Sequence, residues 1–177
     1  QADNPRVRCF DWRRLTNHET PAGEFFVFHQ TKTVASVDIN SWRLHIEGCV
    51  QKPATLAFGD LGRRQKMEIA ATVECSGNSG HSRLMNGLVS HALWRGVALG
   101  PILRECRVLP EAREVVFFGM DGETEQKWPA REQTMYMPHG RSVFVQDALN
   151  TNTLLAFEMN GRPLSAEHGF PVRVILP

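Results

Sequence analysis

One segment combines residue types that could do chemistry. From Ala71 to Arg83 the chain reads ATVECSGNSGHSR, an apolar run that ends in Cys75 and breaks into Ser-Gly-Asn-Ser-Gly. Gly77 and Gly80 permit close main-chain approaches, and Ser76, Asn78 and Ser79 offer hydrogen-bonding, turn-forming side chains. Such a loop can hold a ligand against its own backbone. A nucleophilic thiol would need a base, and His81 lies six residues on, so a Cys/His hydrolase is one reading; no papain-like or caspase-like signature surrounds the thiol. A phosphate loop would need a GK[ST] sequence, which is missing. A thiolate giving one soft ligand to a metal, with a cofactor supplying the others, is the third. Against all three stands the commonest role of a free cysteine, a small buried hydrophobe, which is also the reading for Cys49 and Cys106. By itself the loop does not choose.

The whole chain sets bounds. Its 177 residues can bury one core, and 42% apolar with 22% charged residues is ordinary for a globular domain. A net charge of +1, with basic residues scattered apart from Arg13-Arg14 and Arg63-Arg64, gives no nucleic-acid or anionic-lipid footprint. No apolar stretch is long enough to span a bilayer, and the first residues lack the layout of a signal peptide. Four widely spaced cysteines (Cys9, Cys49, Cys75, Cys106) fit neither a zinc site nor c-type haem attachment, and leave a single bridge open. The sequence starts without Met and ends on FPVRVILP, which reads as a strand, so a longer native chain, truncated here at its C-terminal side, is expected.

The elements that must position Cys75 follow from periodicity. Residues 1–22 are polar and irregular and read as an N-terminal arm; residues 23–177 read as one domain. EFFVFHQT is a strand or a buried loop. SWRLHIEGCV alternates, with Trp42, Leu44 and Ile46 on one face. Thr55 is expected to cap a helix over LAFGDLG, and MEIAATVEC to form a strand in the middle of a sheet. GVALGPILREC carries Val97, Leu99, Ile102, Leu103 and Cys106 at helical spacing, with Pro101 tolerable only in the first turn. EVVFFGMDG reads as a strand, SVFVQDALN as a short helix, TLLAFEMNGRPL as a strand turning at Asn160-Gly161, and FPVRVILP as the last strand. Strands and short helices interleave without regular βα alternation. The fold class expected is α+β, an irregular mixed-sheet domain with short helices.

Longer motifs then narrow the choice. EFFVFHQ…SWRLHIEG, VECSGN, GLVSHALWRGVALGPIL and LLAFEMNGRPLSAEHGFPVRVILP occur in the order and rough spacing of the sulfite oxidase family, and residues 24 to 177 resemble its molybdopterin-binding domain. ECSGNSG is more similar to the bacterial sulfur-dehydrogenase branch than to the animal enzymes. The resemblance implies the molybdopterin-binding fold, a molybdenum-molybdopterin cofactor, and Cys75 as the one protein ligand of the metal and a catalytic residue. It places His168 and Arg173, in HGFPVR, on the cofactor, where a guanidinium fork suits a phosphate. Asp121 in GMDGE, Asn78 in the cysteine loop, and Phe28, His29 and Gln30 join the cofactor-binding set, with His29 also catalytic. Taken singly, His168, Arg173 and Asp121 could equally be a turn residue, a surface charge and a turn acid.

The activity implied is oxygen-atom transfer on a small, sulfite-like sulfur substrate, with electrons passing singly to a separate acceptor such as a cytochrome. No nucleic-acid partner and no membrane span are expected, while a homodimer would form through a segment outside these residues. Location is expected to be periplasmic or exported, the alternative being cytoplasmic. Two departures bear on substrate. Where typical members read FFVRNH this chain reads FFVFHQ, placing Phe28 at an arginine position, and a second family arginine aligns with Gly80. An anion needs fixed positive charge, so a neutral or protein-bound sulfur substrate is favoured unless His29, His81 or Arg83 substitutes. The alternative reading is a non-catalytic member acting as a binding or assembly subunit; a Cys75/His81 hydrolase ranks third.

Overall fold

The architecture is that of a computed structural model, and the residues described are 7–11, 13, 15–29, 36–78, 87–123 and 137–177. Among the described residues the backbone forms one five-stranded sheet and three two-stranded ribbons. In chain order the elements are β1 (Val7–Arg8), β2 (Val27–Phe28), β3 (Arg43–Ile46), β4 (Ala54–Ala57), α1 (Phe58–Gly62), β5 (Lys66–Glu74), β6 (Val89–Ala98) and α2 (Leu99–Glu105). They continue with β7 (Glu114–Glu123), β8 (Met137–Phe144), α3 (Val145–Ala148), β9 (Leu154–Met159), β10 (Arg162–Pro163), a 3-10 turn over Ala166–His168, and β11 (Arg173–Ile175). The main sheet runs β10-β9-β6-β5, with β11 also paired to β9; β1-β2, β3-β4 and β7-β8 pair separately, and every pairing is antiparallel.

The α+β reading with irregular sheets and short helices is what the chain forms. β9 explains why the core needs two layers. Leu154 and Ala156 face one cluster with Phe25, Phe26, Ala92 and Trp94, while Leu155 and Phe157 face a second with Trp42, Leu61, Val97 and Ile102. A strand covered on both faces reads as a continuous apolar run, which is the pattern of TLLAF. β5 instead alternates: Met67, Ile69, Ala71 and Val73 pack inward and Glu68, Thr72 and Glu74 face solvent. Cys75 continues that inward series, and its N–H donates to Leu88 O at 2.9 Å.

Several expectations change. β5 is an edge strand, and the middle of the sheet belongs to β6 and β9. Thr55 caps no helix; it lies in β4, its hydroxyl 3.1 Å from His45 Nδ1, and α1 begins three residues later, where Asp60 Oδ2 accepts the Ala57 N–H at 2.8 Å. Cross-strand pairing with β3 overrides the local capping signal. The helix expected over 96–106 is confined to Leu99–Glu105, because Gly96, Val97 and Ala98 extend β6 against β9. All five periodic residues are nevertheless buried, and Pro101 sits in the first turn. Likewise Ser142–Phe144 complete β8, leaving a four-residue α3. Of the described residues of EFFVFHQT, Phe25 and Phe26 are buried loop and only Val27 and Phe28 lie in a strand. Cys49 is exposed rather than buried, Cys106 is buried, and all four cysteines are free thiols.

β3 has Trp42, Leu44 and Ile46 packed into the second cluster, as their alternation indicates. Asn160-Gly161 closes the β9-β10 hairpin, with φ of 51° and 72°. Within residues 1–22, Phe10 and Thr20 are buried. Thr20 exchanges main-chain and hydroxyl bonds with His91, and its carbonyl accepts from Asn160 Nδ2 at 2.8 Å. Among the described residues no helix is long and apolar enough to cross a membrane.

Candidate cofactor site

β11 pairs with β9 so that Arg173 lies opposite Ala156. This register sets the guanidinium over the indole of Trp94, 5.1 Å from the ring centroid, while Nη1 donates to His168 O at 3.3 Å. Trp94 is fully buried and fixed by its own Nε1–H, which donates to Ala71 O at 3.3 Å. The turn before β11 brings His168 back to the same place. Gly169 closes it in the left-handed region, φ 96°, and a Cβ there would stand 2.9 Å from Arg173 Cβ, so glycine is required for both reasons.

The electrostatics of this corner are unusual. Burial pulls the Arg173 pKa down to about 10, and among the described residues no carboxylate pairs with it. His168 is buried, its ring edge-on to Phe25 at 5.2 Å. Burial, followed by the charge of Arg173, pushes its pKa down, against an opposing hydrogen bond with the Ala22 main chain. The imidazole is therefore neutral at physiological pH. A partly buried guanidinium with no carboxylate partner among the described residues carries a desolvation cost, which a bound anion would offset.

There is space for one. A cavity of about 280 Å³ is lined by Arg173, His168, Asp121 and His29, with His139 and Trp42 also on its wall. Four of the residues picked from sequence, contributed by β7, by the chain after β2, by the 3-10 turn and by β11, thus meet on one cavity. Cys75, Phe28 and Asn78 are not on its wall. Cys75 is half-buried and packs, like Phe170, against the cluster that holds Phe25 and Trp94. Phe28 is 43% exposed beside His29. Asn78 is buried with both ends of its amide engaged: Nδ2 donates to Glu74 Oε1 and Oδ1 accepts the Leu88 N–H, each at 2.8 Å. It fastens the cysteine loop to the start of β6. Gln30, Gly80, His81 and Arg83 lie outside the described residues.

Trp94 and Glu167 belong to this corner and were not singled out from sequence. Trp94 stands in LWRG with no local mark distinguishing it from any core tryptophan; only its distance to Arg173 gives it a role. Glu167 adjoins His168 and lines the cavity. A larger cavity, about 480 Å³, lies at the other end of β5 between Arg64, Met67, Val97 and Pro101. It contains none of the candidate residues.

A family model described as the oxidoreductase molybdopterin binding domain matches residues 30–177. The chain belongs to that family. Sulfite oxidase of Drosophila melanogaster is 31% identical over 93% of this chain and 31% of its own length; the Homo sapiens enzyme is 30% identical over 91% of this chain and 30% of its own. Nitrate reductase [NAD(P)H] of Hordeum vulgare is 31% identical over 81% of this chain and 17% of its own length. This family member thus spans about a third of the sulfite oxidases it matches. The crystal structure of the sulfane dehydrogenase SoxCD from Paracoccus pantotrophus superposes with a TM-score of 0.79 at 29% identity, covering 93% of this chain and 40% of that one. The sulfite oxidase type of molybdopterin-binding fold expected from the motifs is the fold the chain has.

Proposed function

We propose that this chain is the cofactor-binding domain of a molybdenum oxidoreductase that transfers oxygen to a sulfur substrate and hands electrons to a separate acceptor. The observation carrying this is Arg173, a partly buried guanidinium with no carboxylate partner among the described residues, facing a cavity together with neutral His168. These residues fit a molybdenum-molybdopterin cofactor. Arg173 would bind its terminal phosphate, since a guanidinium fork is suited to phosphate oxygens. Trp94 holds that fork in one orientation. His168, neutral, exchanges a hydrogen bond without adding charge. Asp121, which lines the same cavity, would accept from pterin N–H groups, and Cys75 would give the metal a protein thiolate. When bound, the cofactor supplies two-electron redox chemistry.

Phe28 bears on the substrate. An exposed aromatic ring where related sequences carry arginine leaves His29, rather than a fixed guanidinium, as the polar group beside it. A neutral or protein-bound sulfur compound suits this rim better than free sulfite. Periplasmic or exported location and a cytochrome acceptor accord with this reading.

The test is turnover by the protein purified from a cofactor-producing host, with an artificial electron acceptor. Oxidation of a neutral sulfane substrate faster than sulfite is expected. Faster sulfite oxidation would reject the substrate reading, and loaded protein inert toward both would favour a non-catalytic binding or assembly role.

A further inference from the structure

Two carboxylates share the cavity with Arg173: Asp121 of β7 and Glu167, and the second lies in the turn that carries His168. The Glu167 carboxylate would both repel a phosphate and offer Arg173 an internal partner. Arg8 answers that carboxylate. It sits in β1, opposite Val27 of β2, and its Nη2 lies 3.1 Å from Glu167 Oε2. Its Nε donates to Phe25 O at 3.2 Å, which fixes the guanidinium relative to the residue whose ring packs on His168. The charges of Arg8 and Glu167 both reach the His168 imidazole, with opposite sign. Arg8 lies before residue 30, where the family match begins.

We infer that Arg8 is a positioning residue for the anion end of the cavity: by neutralising Glu167 it leaves Arg173 available to the bound phosphate. This rests on the reading of the cavity as the cofactor site. The pair is partly exposed, with Arg8 and Glu167 side chains 40% and 47% accessible. An exposed pair adds little to folding stability. Its effect belongs to ligand retention, where one uncompensated carboxylate beside a phosphate is felt most at low ionic strength.

The test is the rate at which pterin and molybdenum leave the loaded protein, followed by the fluorescence of released, oxidised pterin and by metal analysis. Wild type is compared with Arg8→Gln, Glu167→Gln, the double variant and Arg173→Ala. Arg8→Gln should shed cofactor faster by about fivefold at low salt, the upper end for such a pair, with the difference shrinking as salt rises. Glu167→Gln should shed it no faster than wild type, and the double variant should return to the wild-type rate. A double variant that sheds as fast as Arg8→Gln alone would overturn the inference, since Arg8 would then act by packing. So would an Arg8→Gln rate equal to wild type while Arg173→Ala sheds rapidly. Retention by Arg173→Ala would instead remove the phosphate reading itself.

Discussion

Two arginines at different cavities have opposite electrostatic fates. Arg64, at the larger cavity, is tied to Glu105 through two bonds, Nη1 to Oε1 at 2.7 Å and Nη2 to Oε2 at 2.6 Å. Its pKa is raised, first by that hydrogen bond, and that of Glu105 is lowered by the same contact. Arg173, at the smaller cavity, has a tryptophan face and one backbone carbonyl, and burial pulls its pKa down. One cation is neutralised within the fold, whereas the other has no carboxylate partner among the described residues. Cavity volume alone would have favoured the Arg64 end, but charge compensation favours the Arg173 end.

The largest effect expected is at the thiol. Cys75→Ser should lower oxidoreductase turnover by more than about 100-fold, the upper range for disturbing groups around a metal, with the melting temperature little changed. Full activity in that variant would remove the metal-ligand role. The sharpest contrast comes from Arg173→Met, which keeps the apolar stem and deletes the charge. Cofactor binding should weaken by about 1.5–3 kcal/mol, the worth of hydrogen bonds to a charged group. Cofactor-free protein should not be destabilised, because removing a partly buried charge with no carboxylate partner among the described residues relieves a cost. A clear loss of cofactor-free stability would mean that the fold, rather than a ligand, uses Arg173.

His168 gives a pH signature with a definite sign. Its folded pKa lies below the ordinary 6.5, so the unfolded chain binds the extra proton and folded-state stability falls as pH drops below about 6.5. Above that value His168 contributes no pH dependence. Denaturant titrations of wild type and His168→Asn should diverge in slope against pH only in the acid range; parallel curves would contradict the neutral, buried assignment. The smallest effect is expected at Arg64→Ala, within about 1 kcal/mol for a pair of this exposure and with cofactor content unchanged.

What the sequence displayed, and what it hid, follows the range of the interactions. The alternation of Trp42, Leu44 and Ile46 and the Asn160-Gly161 turn are local signals, and both hold. The spacing from Val97 to Cys106 marked buried positions correctly but assigned the wrong backbone at its start, since Gly96 to Ala98 are held by β9, more than fifty residues away in sequence. Thr55 failed as a cap for the same reason, its backbone being claimed by β3. In the site, the HGFPVR motif displayed His168 and Arg173. It could not display Trp94 beneath the guanidinium or Arg8 across from Glu167, because those contacts arise only when β11, β6 and β1 are assembled. Asn78 was legible as a loop residue, and its buried amide shows that it fastens the loop.

The most direct test of the account is the molybdenum and pterin content of wild type and Arg173→Met purified side by side from a cofactor-producing host. Near-stoichiometric molybdenum and pterin in wild type, with strong depletion of both in the variant, is the result predicted. Equal content in the two proteins, or none in wild type, would contradict it.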